Sequence, residues 1–345
     1  MNYYFNFNGL QMLNNLVYKS KYSKVITIVD KNTNLYCLDD LKKNITFETE
    51  LITIPSGDAN KNLNTLQSIW EQLLALGADR KALILNLGGG VVTDIGGFAA
   101  STYKRGVEFI HIPTTLLAMI DAAIGGKNGI NFMQAKNQIG NINQPEMVLI
   151  NDEFLKTLPA HEFDSGFAEM LKHGLIADAK YFQQLIDYKL NNKGSLLELI
   201  KKSVQIKHEV ISKDPKEKDL RKILNFGHTL GHAIESLMTY QKQKPITHGH
   251  AVALGMILAT YISKELTDFA ASDLIEVKNQ ILSIFKKIHF TNDDIVKIID
   301  LLKFDKKNTN GEHRFVLLNK IGEANYDQVV SNQLIQEAFQ FYMSE

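Results

Sequence analysis

Two hydrophobic rhythms divide the chain. Up to about residue 159, short β-rich runs alternate with stretches of helical period, and the candidate strands are 24–30 (KVITIVD), 51–55, 82–87, 107–112 and 147–151. Between them, NTLQSIWEQLLALG (64–77) sets Leu66, Ile69, Trp70, Leu73, Leu74 and Leu76 at helical spacing and ends on Gly77. Such alternation predicts a mainly parallel sheet covered by helices. From about His161 the pattern lengthens into helices over 195–212, 224–240, 251–266, 273–287 and 293–302, interrupted by a short β-rich segment at 314–318. The expected organisation is an α/β domain over residues 1–159 and a mainly helical domain over 160–345, with the polar stretch 213–219 as an exposed loop. A chain of 345 residues exceeds the size at which one core stops growing, which agrees with two domains.

Composition narrows the function. Lys plus Arg and Asp plus Glu both total 38, so there is no global basic field of the kind that nucleic-acid or membrane-surface binding requires. Anion recognition must then be local. Cys37 is the only cysteine, which excludes an internal disulfide and suits a reducing compartment. Residues 1–20 lack a basic start followed by an apolar run, and no stretch reaches the roughly 18 apolar residues of a membrane span. A soluble cytoplasmic protein is expected.

The densest chemistry lies at 225–250 (NFGHTLGHAIESLMTYQKQKPITHGH), which holds four of the ten histidines. His228 and His232 fall on one helical face, the spacing of helical zinc sites. His248 and His250 lie beyond a polar loop that can fold back, and Glu235 shares the stripe of His228 and His232, so spacing leaves the ligand set open. Capping or core histidines are the alternative for any one of them; four among glycines favour a metal. In the first half, strand 82–87 runs into Gly88-Gly89-Gly90 and then a helical pattern, where backbone amides can approach a pyrophosphate, although three glycines can equally form a tight turn. Asp30 and Asn32 close an earlier strand, where open sheets receive ribose hydroxyls. The block IPTTLLAMIDAAIGGKNGIN (112–131) contributes Asp121 and Lys127, with Lys136 and Asn137 soon after; lysines among Gly, Ile and Ala suit an anion. FAEMLKHG places Glu169, Lys172 and His173 on one helical face, either a surface ion pair or part of a site. Lys207, Arg221 and the pair Lys306-Lys307 add cations in three further elements. A nucleotide pocket, a metal and cations for a multiply anionic substrate suit oxidation at an alcohol carbon.

These motifs are long and ordered. VDKN (29–32), SGDANK (56–61), LGGGVVTDIGGFAASTYKRG (87–106), IPTTLLAMIDAAIGGKNGIN (112–131), GFAEMLKHG (166–174), RKILNFGHTLGHAIE (221–235), HGHAVALGM (248–256) and DKKNTNGEHRFVLL (305–318) together resemble the 3-dehydroquinate synthase family over nearly the whole chain. The resemblance implies a Rossmann-like NAD-binding domain, a helical metal- and substrate-binding domain and a homodimer. The implied reaction turns 3-deoxy-D-arabino-heptulosonate 7-phosphate into 3-dehydroquinate and phosphate by transient oxidation of the C5 alcohol, phosphate elimination, re-reduction, ring opening and aldol closure. NAD and zinc or cobalt are the implied cofactors. The implied zinc ligands are Glu169, His228 and His248, with His250 the alternative to His248 because the chain reads His-Gly-His where the family often reads His-Gly-Glu. His232 becomes a substrate-facing proton relay. Asp121, Lys127, Asn137, Lys172, Lys207, Arg221, Asn225 and Lys306 (or Lys307) would bind the substrate, with Arg105 reaching its phosphate from the neighbouring subunit. The implied NAD positions are Asp30, Asn32, Asp58, Lys61, Gly89, Gly90, Val91, Asp94, Thr114, Thr115, Asp121, Lys127 and Lys136; Asp58 stands where Glu is usual.

Three rivals share parts of this pattern. Another sugar-phosphate cyclase would close a different sugar and replace some of the cations, a glycerol- or iron-type alcohol dehydrogenase would accumulate NADH, and a non-catalytic binding protein would not need the full set of ligands and cations. Here those ligands and cations all stand at their positions.

Overall fold

The computed structural model describes residues 2–133, 135–302 and 313–344. It divides into two compact units, Met1–Pro159 and Ala160–Glu345. In the first, the elements are β1 (Tyr3–Phe5), α1 (Asn6–Ser20), β2 (Lys24–Asp30), α2 (Lys31–Tyr36), α3 (Leu38–Asn44), β3 (Glu50–Ile54), α4 (Leu63–Ala75), β4 (Ala82–Gly88), α5 (Gly90–Thr102), β5 (Glu108–Pro113), β6 (Lys127–Phe132), β7 (Ala135–Ile142) and β8 (Met147–Ile150). Six strands form a parallel sheet in the order β1-β8-β5-β4-β2-β3, which gives the α/β class that the rhythm predicts.

Local chemistry explains the boundaries. The side chain of Asn62 accepts from the Thr65 amide at 3.1 Å and starts α4, which buries Leu66, Ile69 and Leu73 in the core; each contributes about 1.5–3 kcal/mol. Gly77, at φ 70°, follows the helix end. Central strand β4 is buried at every position, as a strand covered on both faces must be. The antiparallel hairpin β6–β7 is absent from the strand candidates, because KNGINF and AKNQIGNI interleave polar residues without a clean period of two.

The second unit comprises α6 (Ala160–Ala177), α7 (Ala179–Asn191), α8 (Leu196–Lys213), α9 (His228–Ser236), α10 (His248–Leu266), α11 (Ala271–Ile284), α12 (Asn292–Leu302), the antiparallel hairpin β9 (His313–Lys320) with β10 (Glu323–Val330), and α13 (Asn332–Met343). Two boundaries correct the sequence expectation. The helix expected over 224–240 starts only at His228, because Gly227 sits at φ 75° and separates it from a 3₁₀ turn at Leu220–Asn225. The helix expected over 251–266 starts earlier, at His248, so His248 and His250 lie in the first turn of α10, where Thr247 caps the helix by accepting from the His250 amide at 3.3 Å.

One buried titratable group lies within the first unit's sheet core. His111 on β5 is buried, and its Nδ1 accepts from Asn86 Nδ2 on β4 at 3.3 Å. Burial pushes its pKa down to about 3, more than its contact with Asn128 raises it. The unfolded chain therefore takes up a proton on this residue below its ordinary value of 6.5, whereas the folded chain refuses it until about pH 3. The contribution of His111 to stability is thus present above that window and lost as pH falls through it. Between pH 7 and pH 5 the wild type is expected to lose about 2 kcal/mol more than His111→Gln in urea denaturation; an equal loss in both would exclude the assignment.

Candidate active site

Three helices of the second unit converge on one carboxylate. Glu169 on α6 is 0% exposed, and its Oε1 lies 3.3 Å from His228 Nε2 and 3.5 Å from His248 Nε2. Lys172, one turn on and 1% exposed, forms an ion pair with Oε2. The rings of His228, His232 and His248 lie 5.2–5.6 Å apart, and each offers a nitrogen within 4.8 Å of the others. Glycines make this approach possible. A Cβ on Gly249 would stand 2.1 Å from the Ser165 carbonyl oxygen, so α10 touches α6 beside His248. A Cβ on Gly255 would stand 2.0 Å from the Gly227 carbonyl oxygen, so α10 also touches the start of α9. The Gly–His alternation in the sequence thus couples ligands to the contact points that bring them together.

The electrostatics suit a cation. Burial pushes the Glu169 carboxyl up, but Lys172 and then His228 outweigh it, and the group is held well below the usual carboxylate range. Burial drives His228 down despite Glu169. For His248 burial acts the same way, yet Glu169 and Glu235 carry it up to about 9. Neither Glu169 oxygen has a well-formed hydrogen bond among the described residues. A buried anionic oxygen beside two imidazole nitrogens is the donor set of a zinc or cobalt centre, so the residues present fit a divalent ion. Glu235, 3.2 Å from His248 Nδ1, is placed as the outer carboxylate that orients such a ligand. His250 goes elsewhere: its Nε2 meets the Lys286 carbonyl at 2.8 Å and its ring packs on Phe285.

Other expected residues of this unit are placed as follows. Lys207 on α8 is buried. Arg221 is also buried and donates from Nη1 to the Pro215 carbonyl at 2.9 Å. Asn225 donates to Glu217 Oε1 at 3.0 Å, and both border a cavity of about 390 Å³ with Thr229 and Arg314. Glu217 was not among the sequence candidates; its only signal was a place in a polar loop. His173 is turned to Ser203, 2.7 Å from Nδ1, and is a core histidine. Lys306 and Lys307 lie outside the described residues.

In the first unit, Gly89 and Gly90 open α5 directly from β4, with Val91 beside them. A Cβ on Gly89 would come 3.0 Å from Thr115 Cγ2, so the turn stays bare where amides face outward. Buried Lys61 donates to Asp94 Oδ2 at 2.8 Å and to Asn137 Oδ1 at 2.5 Å, which joins two residues expected at NAD with one expected at the substrate. Asn131, not anticipated, donates to Asp58 Oδ2 at 3.1 Å and accepts from the Asn137 amide at 2.9 Å; Lys136 stands 3.9 Å from Asp58. Asp30 caps α2 by accepting from the Thr33 amide at 2.8 Å, and the Asn32 amide donates to Ser56 Oγ at 3.3 Å. The Thr114 amide donates to the Gly88 carbonyl at 3.0 Å, and Thr115 Oγ1 accepts from Ala118 at 3.2 Å. Asp121 lies in a π turn at Ala118–Ala122, and exposed Lys127 begins β6. Arg105, at φ 71°, borders an open cavity of about 540 Å³ with Asp79, Arg80, Thr102 and Lys104, apart from the Lys61 cluster.

A glycine turn between strand and helix in one unit and a buried Glu–His–His–Lys cluster in the other define the plan of the sugar-phosphate cyclases. The fold is similar to a crystal structure of 2-deoxy-scyllo-inosose synthase complexed with carbaglucose-6-phosphate, NAD+ and Co2+, with TM-score 0.82 and 25% identity over 98% of this chain and 96% of that one. It is equally similar to a 2-epi-5-epi-valiolone synthase from Streptomyces hygroscopicus with NAD+ and Zn2+ bound, with TM-score 0.82 and 28% identity over 99% and 96% of the two chains. The family pattern for the 3-dehydroquinate synthase N-terminal region matches residues 51–165, and that for the C-terminal region matches 166–308. A 3-dehydroquinate synthase of Parabacteroides distasonis is 41% identical over 93% of this chain and 92% of its own length. The chain belongs to the 3-dehydroquinate synthase family. It is an enzyme of carbon–oxygen lyase type, a phosphate-eliminating cyclase of the shikimate route to aromatic amino acids. Among the described residues no helix is long and apolar enough to cross a membrane.

The cluster predicts how metal retention divides among its members. Glu169→Ala and His248→Ala are expected to lose bound zinc on gel filtration, Glu235→Gln to weaken affinity about 10–100-fold, and His250→Ala to keep the metal. Metal analysis of the purified variants checks this, and retention of zinc by Glu169→Ala would move the centre elsewhere.

Proposed function

We propose that the chain converts 3-deoxy-D-arabino-heptulosonate 7-phosphate to 3-dehydroquinate and phosphate, with NAD as a recycled cofactor and zinc or cobalt at the buried cluster. The observation that carries this reading is the unexposed Glu169 carboxylate facing His228 and His248, with Lys172 beside it. The two related cyclases hold NAD+ with Co2+ or Zn2+, and the donors available here suit the same ions. When bound, NAD takes and returns the hydride at the C5 carbon, and the divalent ion lowers the pKa of the hydroxyl there.

The residues of the chain supply the rest. Glu169, His228 and His248 hold the ion, and Glu235 keeps His248 turned toward it. His232, at the exposed edge of the histidine group, accepts and returns the hydroxyl proton through its ring nitrogen. Lys172 balances the buried carboxylate; an uncompensated charge there costs about 3–5 kcal/mol. The candidates for binding the carboxylate, hydroxyls and phosphate of the substrate are Lys172, Lys207, Arg221, Asn225, Lys306, Lys127 and Asn137. The amides at Gly89–Val91 take the NAD pyrophosphate, Thr114 and Thr115 line that turn, and Asp30, Asn32, Asp58, Lys61, Asp94, Asp121 and Lys136 fix the remainder of the cofactor. Arg105, which borders a cavity with Asp79, Arg80, Thr102 and Lys104, serves the phosphate of a second copy in a homodimer. A reducing cytoplasm suits the lone buried thiol of Cys37.

Supplying the heptulosonate phosphate with substoichiometric NAD is expected to release phosphate and form 3-dehydroquinate with no net NADH. Chelator treatment should stop the reaction, and added zinc or cobalt should restore it. Turnover of sedoheptulose 7-phosphate or glucose 6-phosphate alone, or one equivalent of NADH per product, would overturn the assignment.

A further inference from the structure

Helix α5 carries a second glycine pair, Gly96-Gly97, one turn beyond Asp94, and neither residue has a positive φ that would require glycine. Both face buried amides instead. A Cβ on Gly96 would lie 2.0 Å from Asn86 Oδ1, and one on Gly97 would lie 2.1 Å from Asn128 Oδ1 and 3.1 Å from the His111 ring. Asn86 Oδ1 and Asn128 Oδ1 are buried, and among the described residues neither has a well-formed hydrogen bond, although the His111 side chain stands against Asn128. They rest on the bare glycine Cα atoms, a position where a weak Cα–H donor replaces an N–H.

Each amide is held in that orientation from its other end. Asn128 Nδ2 donates to the carbonyls of Gly126 and Asn143 at 3.0 and 2.9 Å, which turns its oxygen toward α5. Asn86 Nδ2 donates to His111 Nδ1 at 3.3 Å, which fixes both the amide and the ring tautomer. Asn141 on β7 adds a third tie by donating to Ser101 Oγ of α5 at 2.9 Å. Strands β4, β5, β6 and β7 thus grip one helix through polar side chains that a purely apolar core would not need.

We propose that Asn86, His111 and Asn128 are positioning residues that set the depth and rotation of α5, and through it the amides at Gly89–Val91 and the Asp94–Lys61 pair that receive the dinucleotide. This rests on the proposed use of NAD. The helix is a rigid lever: Asp94 and the bare turn belong to the same helix as Gly96 and Gly97, so a side chain at either glycine tilts the whole cradle. None of the three residues touches the reacting atoms.

Trp70, the only tryptophan, reports on this placement, because its Nε1 donates to the Ala99 carbonyl of α5 at 3.3 Å. The test is a pair of mutant cycles, Asn86→Ala with Gly96→Ala and Asn128→Ala with Gly97→Ala, read by calorimetric NAD affinity and by Trp70 emission. Gly96→Ala alone is expected to weaken NAD binding about tenfold or more and to shift the emission. The double variant Asn86→Ala/Gly96→Ala should recover most of both, since the added methyl takes the space the amide leaves. If Gly96→Ala does not fold, the Gly97 cycle gives the same readout. Unchanged affinity and emission in folded Gly96→Ala and Gly97→Ala, or equal defects in single and double variants, would overturn the proposal. Failure of the wild type to bind NAD would count against the functional reading alone, and the Trp70 emission cycle would then decide the placement of α5.

Discussion

One fully buried carboxylate organises the histidine cluster of the helical unit. Glu169 has no access to water, and an isolated carboxylate there would cost several kcal/mol. The protein answers with Lys172 on the same helix and with imidazoles from α9 and α10. Everything nearby follows from that demand. The helices must pack closely enough for ring nitrogens to reach the carboxylate, glycines must stand where backbones meet, and Glu235 must steady the more exposed ring of His248. A buried carboxylate faced by orientable imidazole nitrogens is a donor set for a cation, and its cost to folding is offset when the ion binds.

The α/β unit meets a different constraint. Its sheet is covered on both faces, so a ligand can be recognised only where the chain leaves the strands. The turn after β4 provides backbone amides, and Lys61, Asp94, Asn131 and Asn137 form a polar group gathered from four elements. Inside the sheet, His111 and its asparagine neighbours set a polar cluster in a largely apolar interior. Buried polar contacts of this kind add little net stability but specify one arrangement among several of similar packing.

Much of this was legible in the residues. The five strand candidates of the first unit match β2, β3, β4, β5 and β8 within a residue or two: buried parallel strands write continuous apolar runs, edge strand β3 alternates with Ile52 and Ile54 inward, and the α4 stripe marks its helix by its own period. Hairpin β6–β7 was missed since neither strand alternates cleanly, and the β10 partner of β9 was missed because EANYDQVV carries polar residues on both faces. The histidine cluster was visible as a density of one residue type. Local spacing left the ligand set open among His228, His232, His248, His250 and Glu235, whereas Glu169 stands far away in sequence and is brought close by tertiary packing. Glu217 and Asn131 gave no signal, since their roles arise from hydrogen bonds across loops and strands.

The contact of Gly255 with the Gly227 carbonyl has a bearing on how such a chain can drift over generations. The gap between the histidines is gauged by peptide touching peptide, and peptide dimensions are the same in every protein. Aliphatic residues around the bundle can therefore be exchanged for others of similar volume with little movement of the imidazoles, while the bare positions at these contacts have no room for a side chain. Divergence in such a lineage would be broad across the interior and nearly nil at a handful of hydrogens.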